Sequence, residues 1–151
     1  MSLGKYIENQ LFMAKTGPIV ILEDDMEDQE IMLEVFRELK ILNELKFFTS
    51  GKDFLQYLRT TMDIPFLIFT DINLPVMSGI EVREQIFNDD YLRKKSIPYI
   101  FLTTSDGQGI LEKAFDLQVQ GFFQKAATME DMKKQVKQIV DYWKGSKHPN
   151  H

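Results

Sequence analysis

The apolar residues of this chain fall into five short runs, separated by longer stretches in which apolar residues recur at helical spacing. Short apolar runs bounded by turn residues are typical of strands buried on both faces, and longer periodic stretches are typical of amphipathic helices. The pattern predicts strands at Pro18–Leu22, Glu44–Thr49, Phe66–Thr70, Tyr99–Leu102 and Phe122–Gln124, alternating with helices near Glu27–Leu39, Lys52–Arg59, Gly79–Asn88, Gly107–Leu117 and Met129–Lys144.

Strands that alternate with helices of this length predict an α/β fold with a parallel sheet, because parallel neighbours need a crossover connection. Right-handed crossovers and five strands favour the flavodoxin-like doubly wound sheet, with strand order 2-1-3-4-5 and helices on both faces. The predicted domain covers residues 17–144. Residues 1–16 are an N-terminal extension with a short helix around Tyr6–Met13, and residues 145–151 form a polar tail. The third helix is expected to lead into a connection over Asp89–Lys95.

Polar side chains follow four of these strands at the point where each strand ends. Asp24 and Asp25 follow the first strand, Asp71 the third, Thr103 the fourth and Lys125 the fifth. The carboxyl ends of parallel strands lie along one edge of the sheet, where ligands bind in open α/β folds. We therefore expect these side chains, although scattered along the sequence, to meet in one small pocket.

The chemistry of such a pocket points to a metal ion and a phosphoryl group. Carboxylates held close together stay ionised only when a cation lies among them, and oxygen ligands favour Mg²⁺ or Ca²⁺ over zinc. Mg²⁺ also accepts phosphate oxygens, and Lys125 adds a further positive charge for them. Asp71 is the best candidate for a nucleophile that forms an aspartyl-phosphate, since it follows the most apolar strand and precedes a loop punctuated by Pro75 and Gly79.

Four motifs in this order resemble the response-regulator receiver domain (CheY-like) of two-component signalling, over roughly residues 17–144. They are Leu22-Glu23-Asp24-Asp25, Thr70-Asp71-Ile72-Asn73-Leu74-Pro75-Val76-Met77-Ser78-Gly79, Leu102-Thr103-Thr104-Ser105 and Gly121-Phe122-Phe123-Gln124-Lys125. The stretch from Leu102 to Asp106 is also similar to single-domain regulators that accompany bacterial phytochromes and other sensor kinases.

The resemblance implies a role for each matching position. Asp71 corresponds to the phosphoacceptor and Thr103 to the hydroxyl that bonds a phosphoryl oxygen. Lys125 corresponds to the lysine that pairs with the phosphoryl group. Phe122 corresponds to the aromatic side chain that changes rotamer in the switch. The positions that correspond to ligands of Mg²⁺ are Asp24, Asp25, Asp71 and the backbone carbonyl of Asn73. Asn73 and Ser105 flank the pocket and could tune the rate at which the aspartyl-phosphate is hydrolysed.

The implied function is a phosphorylation switch rather than a metabolic enzyme. A histidine kinase or phosphotransfer protein would donate the phosphoryl group to Asp71, and the domain would catalyse only its own phosphorylation and dephosphorylation. The output would pass through the face formed by the fourth predicted helix, the fifth strand and the fifth helix, to a partner protein or a second copy of the chain. The change only shifts a pre-existing equilibrium between two conformations.

One position departs from the family. Ala126 follows Lys125, where receiver domains usually have a proline after a cis peptide bond. Either this bond is trans and Lys125 is aimed differently, or the fold holds a strained cis bond at a cost of about 3–4 kcal/mol. This departure motivates the alternative of a phosphorylation-independent interaction module, a pseudo-receiver.

Composition narrows the classes of function. The chain has 151 residues, 44% of them hydrophobic, no cysteine and a net charge of −5. It is long enough for one domain with a core, and cytoplasm is the default location for a chain without disulfides or a signal peptide. No apolar run is long enough to span a membrane, and the negative charge disfavours nucleic acid or an anionic membrane as partner.

Other interpretations of the same residues are weaker. Asp24 and Asp25 could simply cap the first helix, and Asp71 could be a turn residue. A phosphatase of the haloacid dehalogenase type needs a second acid two residues after its nucleophile, where this chain has Asn73. A flavodoxin needs a first loop rich in Ser, Thr and Gly, whereas the loop here is the acidic stretch Asp24-Asp25-Met26-Glu27-Asp28.

Overall fold

A computed structural model describes residues 2–6, 15–105 and 107–147. The strands are β1 (Ile19–Leu22), β2 (Leu45–Phe48), β3 (Leu67–Thr70), β4 (Tyr99–Thr103) and β5 (Gly121–Gln124). The helices that follow Gly17 are α1 (Met26–Glu38), α2 (Gly51–Thr60), α3 (Gly79–Phe87), α4 (Asp90–Lys94), α5 (Gln108–Asp116) and α6 (Met129–Gly145). The sheet is parallel throughout with the order β2-β1-β3-β4-β5, which confirms the predicted fold.

Alternate residues of each central strand enter two separate hydrophobic cores. In β1, Val20 and Leu22 face the core beneath α2, α3 and α5, whereas Ile19 and Ile21 face the core beneath α1 and α6. All four side chains are buried, because helices cover both faces of the sheet. This two-sided burial explains why the strands are continuous apolar runs in the sequence.

Short polar side chains fix where most helices begin. In each case the side chain of the residue before the helix accepts a hydrogen bond from a backbone N–H in the first turn, an arrangement worth about 1 kcal/mol. The caps are Asp25, Ser50, Ser78, Asp89 and Thr128, for α1, α2, α3, α4 and α6 respectively. Helix α5 begins after Gly107, which offers no side-chain cap.

The third helix ends one residue before its predicted end at Asn88, and a further short helix follows it. Helix α3 ends at Phe87, and Asp89 adopts an extended conformation that caps the separate short helix α4. The sequence predicted only a connection after Asn88. Of the predicted N-terminal helix, Tyr6 lies in a helical turn and the following residues lie outside the described part of the chain.

The segment that leads into β1 is hydrogen-bonded to the end of α6. Asn43 donates through Nδ2 to the carbonyl oxygens of Lys15 (2.9 Å) and Gly17 (2.7 Å). The Lys144 ammonium donates to the same Lys15 carbonyl and to Asn43 Oδ1, and it lies 4.6 Å from the centre of the Phe66 ring. The two ends of the domain therefore meet at the amino edge of the sheet.

Within the described residues, no helix has the length and apolar character needed to cross a membrane.

Candidate functional site

Asp71 lies at the carboxyl edge of the sheet, immediately after β3, and only 9% of its surface is exposed. Its backbone N–H donates to the Leu22 carbonyl in β1, which fixes the residue between the two strands. One carboxylate oxygen, Oδ1, accepts a short hydrogen bond of 2.6 Å from the Thr103 hydroxyl and a longer one from the Asn73 backbone N–H. The second oxygen, Oδ2, faces Lys125.

Thr103 links Asp71 to both neighbouring loops. It is the last residue of β4 and is completely buried, and its carbonyl oxygen accepts a hydrogen bond of 2.7 Å from the Lys125 backbone N–H. Its hydroxyl also accepts a hydrogen bond from the Ser105 backbone N–H. The Asn73 side-chain amide donates to the Ser105 hydroxyl at 2.7 Å, and this contact joins the loops on either side of Asp71.

Lys125 lies among three carboxylates. Its ammonium nitrogen is 2.9 Å from Glu23 Oε1, 3.5 Å from Asp28 Oδ2 and 3.9 Å from Asp71 Oδ2. The lysine side chain is only 11% exposed, so these contacts are largely shielded from water. The structure therefore brings Asp71, Thr103 and Lys125 together, as the sequence predicted from their positions after the strands.

Glu23 is the pocket residue that the sequence analysis left without a role. It is 4% exposed, and its backbone N–H still bonds the Phe48 carbonyl of β2, so it continues the path of β1. Its carboxylate pairs with Lys125 through Oε1 and accepts the Asp25 backbone N–H through Oε2. The sequence did carry a signal for Glu23. It is an acidic residue directly after an apolar strand, one position before the predicted pair Asp24 and Asp25.

Asp25, predicted as a metal ligand, caps the first helix through one of its carboxylate oxygens. Its Oδ1 accepts the Asp28 backbone N–H at 3.0 Å and caps α1, and the residue is exposed. Asp24 is also exposed, between Glu23 and this cap. The structure thus assigns to Asp25 the capping role that the sequence offered as the simpler explanation, and Glu23 takes the buried position beside Asp71.

The pocket holds more negative than positive charge. Burial raises the pKa of Glu23, an effect that the Lys125 ammonium opposes and the Asp71 carboxylate reinforces. Burial lowers the pKa of Lys125, but the hydrogen bond that its ammonium donates to Glu23 and the charges of Glu23, Asp28 and Asp71 outweigh this effect, so the pKa is raised overall. Three carboxylates around one ammonium leave a net negative charge in the pocket, a balance that favours a further cation.

The oxygen atoms near Asp71 would suit a hard metal ion. Those that could hold one are carboxylate oxygens of Glu23, Asp24 and Asp71 and the backbone carbonyl of Asn73, with no sulfur or imidazole among them. Among the described residues, no three acidic or histidine side chains already converge as a closed metal cluster. Mg²⁺ does not require one, since it usually takes one or two protein carboxylates and keeps several waters.

Two further residues near Lys125 in the sequence are Phe122, which lies in β5, and Ala126, which lies in the loop after β5. Phe122 is half-buried, and its ring centre is 5.7 Å from that of Phe101 in the core under α3 and α5. None of the peptide bonds in the described ranges is cis, so Lys125 and Ala126 are joined by a trans bond. Of the trans and cis bonds that the sequence left open, the structure has the trans bond.

The chain belongs to the response regulator receiver domain family, whose sequence model matches residues 19–137. It is similar to the probable methanogenesis regulatory protein FilR2 of Methanothrix harundinacea, with 30% identity over 84% of this chain and 83% of FilR2. It is also similar to the response regulator Rcp1 of Synechocystis, with 28% identity over 83% of this chain and 87% of Rcp1.

Two solved structures share the fold at similar identity. The phosphorylated cyanobacterial phytochrome response regulator RcpA superposes with a TM-score of 0.80 and is 27% identical, covering 89% of this chain and 99% of RcpA. The Mn²⁺-bound form of Rcp1 has a TM-score of 0.74 and 26% identity, covering 86% of this chain and 96% of Rcp1.

Proposed function

We propose that this receiver domain is a phosphorylation switch in which Asp71 accepts a phosphoryl group from a histidine kinase or a phosphotransfer protein. The observation that carries this proposal is the position of Asp71 Oδ2. It faces the Lys125 ammonium at 3.9 Å, while Oδ1 is occupied by Thr103 and Asn73. The solved phosphorylated state of RcpA lends support from a relative.

In the proposed reaction, Asp71 Oδ2 is the nucleophile. It attacks the phosphorus of a phosphohistidine, the new P–O bond forms as the P–N bond breaks, and the imidazole nitrogen keeps the electron pair and takes up a proton. Lys125 then moves from Glu23 towards the phosphoryl oxygens. Thr103 turns its hydroxyl from Asp71 Oδ1 to a phosphoryl oxygen, so that the charge on the product is balanced by groups already in the pocket.

Mg²⁺ would be held by Glu23, Asp24, Asp71 and the Asn73 carbonyl, with Glu23 in place of the Asp25 predicted from sequence. When bound, it would neutralise charge on the carboxylates and on the phosphoryl oxygens. The Mn²⁺-bound form of Rcp1 supports a divalent metal in a relative. The surplus of carboxylates around Lys125 is the corresponding feature of this chain.

The output is proposed to pass to a partner protein through the face formed by α5, β5 and α6. Thr103, at the end of β4, and Phe122, in β5, connect the pocket to this face. Movement of the Thr103 hydroxyl towards the phosphoryl group would leave space beside β4 for the Phe122 ring, which changes the surface that a partner contacts. We propose that the domain catalyses no reaction beyond its own phosphorylation and dephosphorylation.

The test is incubation with acetyl phosphate, with and without Mg²⁺, followed by intact mass measurement. We expect one added phosphoryl group that requires Mg²⁺ and is lost in Asp71→Asn. It should persist in Asp116→Asn, which changes an exposed aspartate at the end of α5. An adduct that survives in Asp71→Asn would contradict the assignment of the phosphoacceptor.

A second candidate is a phosphorylation-independent interaction module. The observation that favours it is the close ion pair between Lys125 and Glu23, which holds the lysine away from Asp71. This candidate would be preferred if neither acetyl phosphate nor beryllium fluoride binds in the presence of Mg²⁺. Beryllium fluoride is the sharper probe because its adduct is not lost by hydrolysis of an aspartyl-phosphate.

A further inference from the structure

Gln135, on the second turn of α6, holds the backbone on both sides of Lys125. Its Nε2 donates to the Gln124 carbonyl at 2.7 Å, and its Oε1 accepts from the Ala126 N–H at 3.3 Å. Only one orientation of the side-chain amide satisfies both contacts, since one partner is an acceptor and the other a donor. A single side chain therefore bridges the residue before Lys125 and the residue after it.

Together with the bridge, a hydrogen bond to β4 fixes three backbone groups around Lys125. The Lys125 N–H donates to the Thr103 carbonyl at 2.7 Å, between the two groups held by Gln135. Gln135 itself has a fixed position, because Met132, Val136 and Ile139 of the same helix are buried in the core under α1 and α6. The direction in which the lysine side chain leaves the backbone is thus set by α6 as well as by β4.

The bridge depends on the residue that follows the lysine. Ala126 has a backbone N–H to donate, which a proline at that position would lack. The trans bond at this position turns the N–H towards Gln135. Ala126 also packs against the core beside α6, so the loop has little freedom to move away from the glutamine.

We propose that Gln135 is a positioning residue for Lys125, which sets the direction in which the ammonium enters the pocket beside Asp71 through the backbone bridge from Gln124 to Ala126. This inference rests on the proposed phosphorylation of Asp71, and it adds a residue outside the pocket to that reaction. Gln135 contacts neither the phosphoryl group nor the metal ligands. Its effect is on the geometry of the lysine that neutralises the developing charge.

The experiment measures the rate of phosphorylation by acetyl phosphate in the wild type, in Gln135→Leu and in Gln135→Glu. We expect Gln135→Leu to be roughly tenfold slower, because a small displacement of a charge-neutralising group is costly in the transition state. Gln135→Glu keeps an acceptor for the Ala126 N–H but loses the donor to Gln124, so it should fall between the two. The matched control is Gln138→Leu, an exposed position one turn further along α6, which should react like the wild type.

Two further measurements distinguish a loss of lysine positioning in Gln135→Leu from a loss of folding. The Mg²⁺ dissociation constant should be unchanged in Gln135→Leu, since the metal ligands lie on other elements. The effect of Gln135→Leu should also shrink in an Ala126→Pro background, where the N–H that Gln135 accepts no longer exists. Wild-type rates in Gln135→Leu, or an equally large loss in the Ala126→Pro background, would overturn the inference.

Backbone amide exchange of Ala126 tests the bridge without any phosphorylation. The amide should be protected in the wild type and should exchange faster in Gln135→Leu but not in Gln138→Leu. Protection that is independent of Gln135 would overturn the inference. A wild-type protein that takes up no phosphoryl group, with this protection intact, would instead overturn the proposed function and with it the role of the bridge in catalysis.

Discussion

Among the described glycines, Gly79 is the position where an added methyl group should be least tolerated, because α3 begins directly against the loop that contains Asp71. A Cβ built on Gly79 would lie 2.2 Å from the backbone carbonyl oxygen of Asp71 and 3.0 Å from Cε1 of Phe101. The Asp71 carbonyl would have to retreat by about 0.8 Å to reach even 3.0 Å, a separation that real Cβ atoms hardly ever undercut. That carbonyl accepts the Thr70 hydroxyl, so the strand end cannot move alone.

The expected cost of Gly79→Ala follows from two opposing effects. Overpacking of this kind destabilises by about 1–3 kcal/mol, and replacing glycine in a helix returns about 0.5–1 kcal/mol. None of the described glycines has a positive φ, so alanine meets no backbone strain of its own. We expect a net loss of about 1–2 kcal/mol, which for a domain of this size lowers the melting temperature by roughly 2–8 °C.

The assay is urea unfolding of Gly79→Ala beside Gly109→Ala, together with phosphorylation by acetyl phosphate. Gly109 lies in the first turn of α5 with no atom within 4 Å of the added Cβ, so its replacement should be neutral or stabilising. The Gly79 variant should also be phosphorylated more slowly, because Asp71 is displaced. A Gly79→Ala protein as stable as Gly109→Ala, with wild-type phosphorylation, would refute the reasoning.

Three further predictions follow from single residues. Val76 is fully exposed and has a φ of 66°, a left-handed conformation that is costly for a β-branched residue. Val76→Gly should therefore raise the free energy of unfolding, measured by urea titration, by about 0.5–1 kcal/mol. Arg83 is buried, at 7% exposure, and donates hydrogen bonds to the carbonyls of Leu117 and Gln118 just after α5. Arg83→Leu should therefore lower the free energy of unfolding by about 2–3 kcal/mol in the same assay. Burial raises the pKa of Glu23, so protons should compete with Mg²⁺ at a higher pH than they would for an exposed glutamate. The Mg²⁺ affinity measured by calorimetry should therefore fall as the pH is lowered, and Glu23→Gln should weaken binding and flatten this dependence. Equal pH dependence in Glu23→Gln and the wild type would contradict the proposed ligand.

The sheet was predictable because burial on both faces leaves a direct trace in the sequence. Strands β1, β3 and β4 are buried along their whole length and appear as unbroken apolar runs. The order of the strands followed from the alternation with helices and the handedness of crossovers. The short helix α4 was harder to predict than the end of α3, since its start depends on the extended conformation of Asp89, and aspartate also occurs within helices.

The convergence of three pocket residues was predictable from the sequence. Asp71, Thr103 and Lys125 follow strands that share an edge, and position alone brings them together. The acidic end of β1 contains three consecutive acidic residues, Glu23, Asp24 and Asp25, and the sequence does not mark where the strand path stops and the helix cap begins. That boundary is set by the hydrogen bond from the Glu23 N–H to β2, a long-range contact without a local signal.

The contact between Lys144 and the carbonyl of Lys15 has a practical consequence for building sensors from this domain. Because the entry to β1 and the end of α6 meet at the amino edge of the sheet, fluorescent proteins fused before residue 15 and after residue 147 would start side by side. Both would stand away from the carboxyl edge that carries Asp71. A pair of fluorophores attached in this way would leave the approach to Asp71 open to a kinase, and a short linker could join the two ends for circular permutation.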